Sequence, residues 1–563
     1  MSGFIIDELS RYIIAKRAVE KTVTKEFMVA AKHPLAALAG VKILKRGGNA
    51  VDAAVATHFA IAVVEPFMTG IGGGGRCVIR LRDGDTFVLN FEPMTPRKDT
   101  PFEPNPKQEA MAYGVPLGRP AVKYDADQYG YKAAAVPGFV KGMSYLVERF
   151  GSMELGELLE PAIKYAEEGF LLDTYVAKAI AFDMFLIARF PETAKTLLKD
   201  GFAPKPWGWY FGDFDRLIQK DLAVTLRMIA EDGVNAFYKG EVARAIAEDM
   251  VENGGYITED DLAHYEPEIL EPGEGSYRGH DLIHFPISTG IVQILNILEG
   301  FDMREMGYNT GKSTHLLIEA IKLAFASRNK FLGTGLEKRP FSGIVSKEYA
   351  KSLRRTMDMD EAQKGLDLGD PWMYQEENTT HACVVDRDRN IVGMHTSLGN
   401  TFGSKVTIKG TGIILNSKMS GYDPRPGMPN SVKPRTIKPP PSGSTIMLND
   451  DEPFLVIGAP GGYKQVTAVA RVIHNVVDYG MSLQEAIDSP RVYVQTGRVF
   501  IESKTPTAVC QALARMGHDV IVVDKEYNFA QPTGILIDLE TGLLHGGVDR
   551  DLPHGLDAVT LGQ

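Results

Sequence analysis

The chain has 563 residues, of which 44% are hydrophobic and 24% charged, the balance of an ordinary globular protein. Its length suggests about three or four domains. A net charge of −11 without a long basic run argues against nucleic acid or an anionic membrane surface as partner. The three cysteines, Cys77, Cys383 and Cys510, form no CxxC pair and no metal-ligand spacing, which fits small buried thiols in a reducing compartment.

Residues 1–24 scatter Asp7, Glu8, Arg11, Lys16 and Arg17 among apolar residues and hold no continuous apolar stretch of signal-peptide type. Nowhere does an uncharged apolar run reach the roughly 18 residues of a membrane span. The expectation is a cytoplasmic enzyme or binding protein with no membrane partner.

From His33-Pro34-Leu35-Ala36 the apolar residues take helical spacing, until Gly47-Gly48 stops the helix. Asn49 is placed to cap a second helix over 50–64, built from Ala and Val with little charge beyond Asp52. A helix apolar on all sides belongs between layers. After Glu65-Pro66, the run Gly70-Ile71-Gly72-Gly73-Gly74-Gly75 matches G-x-G-x-x-G by letter only. A helix precedes it and a strand follows, the reverse of a dinucleotide site, so the glycines are expected to allow a close backbone approach. A hairpin follows, 77–81 and 87–91 around Asp83-Gly84-Asp85.

The Pro-rich, polar stretch 95–131 reads as a long surface loop. Helices then dominate 139–331, with segments over 154–168, 221–232, 242–253 and 313–331, and a capping box opens at Thr258-Glu259-Asp260-Asp261. Residues 334–377 are charged and poor in apolar clusters, a mobile surface segment of the kind that tolerates cleavage. It ends at Asn378-Thr379-Thr380-His381, where polar residues run straight into the strand pattern 381–386. A cut before Thr379 would give that residue a free α-amine beside its own hydroxyl, uniting nucleophile and general base.

Downstream, strands are expected over 391–397, 412–416, 444–448 and 454–458. The last runs into Ala459-Pro460-Gly461-Gly462 and a helix from Tyr463 to about Tyr479. A Gly-Gly pair between strand and helix is either a tight turn or an anion-stabilising turn with unpaired N–H groups. No P-loop, EF-hand, G-x-S-x-G or H-x-E-x-x-H occurs and the 12 histidines are scattered, so neither metal nor cofactor is expected.

Taken in order, these motifs resemble the γ-glutamyltranspeptidases, within the N-terminal-nucleophile hydrolases, over about residues 30–558. The marks are His33-Pro34-Leu35-Ala36, Gly47-Gly48-Asn49-Ala50-Val51-Asp52, Glu65-Pro66 with Gly72–Gly75, Ala135-Val136-Pro137-Gly138 and Gly254-Gly255-Tyr256. Thr379-Thr380-His381, Thr401-Phe402-Gly403-Ser404, Leu415-Asn416 and Pro460-Gly461-Gly462 complete them. The resemblance implies an α+β fold, a four-layer αββα sandwich, made as a precursor that cuts itself between Asn378 and Thr379. The products would be a large subunit, 1–378, and a small catalytic subunit, 379–563. A dimer of these pairs is one assembly it allows. Thr379 would attack an amide, Ser397 would hydrogen-bond it, and the Gly461 and Gly462 amides would hold the oxyanion. The partner implied is a small-molecule amide.

The substrate shell departs from the family pattern. Where the family has an arginine for the glutamyl α-carboxylate, this chain has Glu92, and the family's Ser-Ser pair falls at Pro440-Pro441. The aspartate for the α-amino group falls at Gly421, with Asp423 two residues on. An asparagine becomes Gly399, beside Asn400, and a glutamine becomes Lys418. Tyr463, beside the Gly-Gly turn, joins Asn400, Lys418, Asp423 and Glu92 as a candidate substrate contact. Lys418, Arg97 and Arg76 are candidates for meeting an acidic substrate group from a new direction. Two enzymatic readings follow, a γ-glutamyl hydrolase or transferase and an acylase on non-glutamyl amides. A non-catalytic binding protein of the same fold is the third.

Overall fold

The computed structural model describes residues 22–98, 100, 102–112, 115–206, 214–332, 341–366, 378–420, 422–428, 431–438, 440, 442–495, 497–524, 529–549 and 559–563. Two seven-stranded antiparallel sheets form its centre. In the first, Asn378–Val385 lies between Met28–Ala31 and Ile391–Gly399, with Gly74–Arg80, Thr86–Phe91 and Glu268–Leu270 beyond and Val559–Gly562 at the other edge. In the second, Glu452–Gly458 lies between Thr445–Asn449 and Thr533–Ile537. His280–His284 and Gly273–Tyr277 continue one side, and Leu544–Val548 and Val23–Thr24 the other.

Side-chain alternation along the strands makes this a layered molecule. On Asn378–Val385, Cys383 and Val385 point into a core between the sheets, shared with Val456, Ile446 and Ile535. Ala382 and Val384 point the other way, onto the helices Pro34–Lys45 and Ala50–Val64. The second sheet turns Met447, Leu455 and Ile457 outward onto Thr289–Leu298, Gly311–Leu332 and Lys464–Tyr479. The order helix, sheet, sheet, helix is the expected αββα sandwich. The chain length suggests about three or four domains, but the described sheets and helices stack as one sandwich whose large apolar clusters fill its interlayers.

All fifteen residues of Ala50–Val64 are buried, as their apolar composition requires. Asp52, fully buried, closes the capping box with Asn49, and it accepts hydrogen bonds from the Ser152 amide and hydroxyl at 3.0 and 2.6 Å. The helix start is thereby tied to the chain a hundred residues on. The glycine run does allow close approach: a Cβ on Gly73 would lie 2.4 Å from the Ser397 carbonyl oxygen, and one on Gly75 would lie 2.2 Å from that of His395.

Several local expectations are corrected. The stretch 95–131 is not all loop, since Pro104–Ala112 and Val115–Val122 pair as a hairpin. Residues 412–416 make only isolated bridges, Ile414 to Thr407 and Leu415 to Gly72. The helical region 139–331 contains three strands between Glu268 and His284, short and half-polar because they lie towards the sheet margins. Within 334–377, Phe341–Ile344 and Lys347–Arg354 are helical, and the Lys347 ammonium reaches Glu299 and Asn296 at 2.6 Å. Cys77 and Cys383 are buried, burial pushing the Cys77 thiol up to about 12, but Cys510 is only partly covered.

Replacing Asp52 removes the acceptor that the Ser152 and Asn49 donors share at the helix start and leaves a gap where its buried side chain lay. We expect Asp52→Ala to lose about 2 kcal/mol of stability in urea unfolding, with an unchanged dependence on denaturant.

Candidate active site

Thr379 is the second residue of its strand and is buried. Asn378 pairs with Gly399 and Thr380 with Thr396, so Ser397 and Leu398 together face Thr379 across a β-bulge. Bulges re-aim a side chain at a sheet end, and this one brings Ser397 opposite Thr379. The Ser397 hydroxyl accepts from the Gly399 amide at 2.9 Å, fixing the return of the strand.

The turn after the apolar helix is laced to the same place. Thr380 donates to the Glu65 carboxylate at 3.0 Å, and the Leu398 and Phe402 amides donate to the Met68 and Phe67 carbonyls, both at 3.0 Å. Burial raises the Glu65 carboxyl above its ordinary range, against the opposing Lys32 charge and the Thr380 hydrogen bond.

Gly461 and Gly462 approach from the second sheet. Both have left-handed backbone, φ +115° and +55°, which glycine tolerates without the Cβ penalty. The His395 imidazole donates to the Ala459 carbonyl at 3.1 Å, locking this turn to the strand opposite Thr379. Gly458 is needed for a related reason, since a Cβ there would lie 2.4 Å from the His381 ring. Burial holds His381 and His395 well below the usual imidazole range and His58 at about 3, so these three rings are neutral. Among the described residues, neither the Gly461 nor the Gly462 amide has an acceptor.

A cavity of about 340 Å³ opens beside Thr379 and Gly461. Phe67 and Met68 form one wall, Tyr175 and Phe182 of the helix Thr174–Ile187 another, and Phe529, Gln531 and Thr401 complete it. Apart from Thr401, which lies in a family motif, nothing in the sequence pattern pointed to these residues, because the cavity is made where six segments of the chain meet.

The remaining candidates fall elsewhere. Glu92 is buried between Arg76, 2.5 Å away, and Lys418, at 3.3 Å. Both cations therefore neutralise a carboxylate of the chain itself, in place of the acidic substrate group expected of them. Arg97 pairs at 3.0 Å with Asp260 on the surface and leaves the candidate set. Asp423 is held by Arg425 at 2.6 Å; burial works against ionisation there, but that guanidinium keeps the carboxyl below its usual range. Asn400 donates to Gln128 at 2.9 Å, and the Tyr463 hydroxyl accepts from Arg328 at 3.1 Å. None of Asn400, Lys418, Asp423, Glu92 and Tyr463 lines the cavity. Gly421 and Pro441 lie outside the described residues; Pro440 is buried.

The histidines are less scattered in space than in sequence. His315, Glu319 and His518 put ligand atoms within 4.8 Å of one another, a grouping that the i, i+4 spacing of the first two could have signalled. Lys322 fills the place of a cation there, 2.8 Å from Glu319 and 3.3 Å from His518.

The structure and sequence both have close likenesses among characterised proteins. The cephalosporin acylase of Bacillus halodurans superposes with a TM-score of 0.82 at 29% identity, covering 97% of this chain and 98% of that one. The Acylase ACY 1 proenzyme of Pseudomonas sp. (strain SE83) is 38% identical over 503 residues, 88% of this chain and 87% of that protein. The glutathione hydrolase proenzyme of Escherichia coli (strain K12) is 36% identical over 488 residues, 84% and 81% of the two chains. A family profile described as Gamma-glutamyltranspeptidase matches residues 36–554. The fold and site thus define an α+β amidohydrolase or acyltransferase of N-terminal-nucleophile type. The chain belongs to the γ-glutamyltranspeptidase family.

Asp173 caps the cavity-wall helix, accepting from the Val176 amide at 2.7 Å, and burial pushes its carboxyl from 3.8 up to about 7. Between those values the folded chain holds more protons than the unfolded chain, so this group makes stability fall as pH rises through that window. Asp173→Asn keeps a cap acceptor and removes the titration. We expect its melting temperature to drop less than the wild type's between pH 5 and pH 8 in calorimetric scans.

Proposed function

We propose that the chain cuts itself between Asn378 and Thr379, giving a large subunit, 1–378, and a small one, 379–563, and that Thr379 then cleaves an amide through an acyl-enzyme. The observation that carries this is one cavity lined by both Thr379 and Gly461, with the Gly461 and Gly462 amides free of acceptors among the described residues. The Thr379 hydroxyl oxygen attacks the amide carbonyl while its proton passes to the new α-amine. The carbonyl oxygen, now negative, takes hydrogen bonds from the two glycine amides. Collapse breaks the C–N bond, the proton leaves with the amine, and water or a second amine releases the acyl group. Ser397, opposite Thr379, orients it.

The proenzyme names of the relatives support self-processing and a small amide substrate. They leave two acyl classes, and the ion triad favours one. Glu92 stands where the family's arginine would meet a glutamyl α-carboxylate, and its own cations are already engaged. Pro440 offers neither hydroxyl nor N–H. An acylase on non-glutamyl amides is the better reading, with glutathione chemistry secondary.

Purified wild type is expected to run as two bands on a denaturing gel, with the small fragment beginning at Thr379 by intact mass. Thr379→Ala should stay uncut, and a wild-type chain that remained whole after long incubation would overturn the proposal. In the processed enzyme, glutathione and γ-glutamyl-p-nitroanilide should turn over at least about tenfold less efficiently than the best amide of a non-glutamyl panel. Equal or faster glutamyl turnover would restore the other reading.

A further inference from the structure

The wall beside Thr379 carries a single ionisable side chain. Tyr175, Ala179 and Asp183 recur every four residues, so they stand on one face of Thr174–Ile187, and all three line the cavity. Phe67 packs edge-to-face on Tyr175, ring centroids 4.9 Å apart, and Phe529 adds a third ring. Of the residues lining the cavity, Asp183 alone has a charged side chain.

That carboxylate is anchored from the protein interior. Lys405, 2% exposed against 19% for Asp183, donates to its Oδ2 at 2.6 Å and also donates to the Thr401 carbonyl. Among the described residues, Lys405 is the one hydrogen-bond partner of Asp183. A carboxylate has about four lone-pair sites on its two oxygens, so most of its accepting capacity is left for the cavity it lines.

An acceptor-only charge set in an otherwise uncharged, ring-walled cavity discriminates between ligands. A ligand carboxylate would meet a like charge, and an apolar group would leave the lone pairs unanswered. A primary ammonium brings three donors and the opposite charge, while the rings cover its methylenes. A second buried ammonium, that of Lys32, lies 5.1 Å from the Tyr175 ring centroid. It does not line the cavity, and Glu65, Asp549 and Asp173 around it oppose its charge.

We infer that the cavity beside Thr379 is a subsite for a cationic group of the substrate, a primary ammonium on a short alkyl chain, and that Asp183 binds it. The inference rests on the reading of Thr379 as nucleophile and adds a charge to the substrate class. It applies to whichever half of the amide occupies the cavity. A volume of about 340 Å³ is at the lower end of ligand pockets and suits a short chain.

The test uses the processed enzyme with butylammonium, 1-butanol and butanoate, which match in length and differ in charge. Each is titrated at pH 7 by ligand-observed saturation-transfer NMR. Butylammonium should bind at least about tenfold more tightly than 1-butanol, with butanoate the weakest. Asp183→Asn should bring butylammonium to within about twofold of 1-butanol, and Asp183→Glu, which keeps a charge beside Lys405, should retain the preference. Ala179→Leu leaves the Asp183–Lys405 pair in place and fills the wall between Tyr175 and Asp183, so it too should lose butylammonium. Equal binding of the three probes in wild type, or tighter binding of butanoate, would overturn the inference. So would an ammonium preference that survives Asp183→Asn or Ala179→Leu. The readout needs no turnover, so a missing acyl-enzyme on Thr379 by intact mass would count against the catalytic reading alone.

Discussion

The antiparallel ladder between Asn378–Val385 and Ile391–Gly399 constrains everything around it. Cys383 pairs with Gly393 and Val384 with Val392, and the two faces of the strand feed two different cores. A slip of one residue would turn every side chain into the wrong layer, so the register is held by burial on both sides. With that register set, the bulge at its end puts Ser397 and Leu398 across from Thr379, and Leu398 and Phe402 carry the Glu65–Thr69 turn with them.

The second sheet contributes through polar contacts that water cannot replace. His381 and His395 lie between the sheets, kept neutral by burial, and bond to Thr533, Ser444 and the Ala459 carbonyl. Buried imidazoles with satisfied hydrogen bonds are specific in a way that apolar contacts are not. They align the Gly461–Gly462 turn with the strand end bearing Thr379. The dry surroundings that keep these rings neutral would also strengthen amide dipoles aimed at a developing oxyanion.

Recognition follows different rules from bond-breaking here. The triad of Arg76, Glu92 and Lys418 carries a net positive charge but directs both cations at its own carboxylate. Removing Glu92 would take the one shared carboxylate from between two buried cations, a costly change. The cavity, by contrast, is walled by rings from the helix Thr174–Ile187, the turn at Phe67 and the late segment at Phe529.

Much of this was legible in the residues. The wholly apolar helix 50–64, the Gly-Gly turn between strand and helix and the strand at Thr379 follow from local pattern, because each depends on neighbours in the chain, whereas the layered fold came only from what the family resemblance implies. The hairpin within 95–131 and the strands of 268–284 were not legible, since Pro-rich or half-polar marginal strands lack the alternation that marks a central one. Whether Lys418 and Arg76 face a substrate or another side chain was likewise undetermined until Glu92 was placed between them. Residue types and short spacings set the secondary structure and the candidate chemistry. The partners of each charge, the bulge opposite Thr379 and the aromatic cavity depended on contacts between segments far apart in sequence, which only the packed layers bring together.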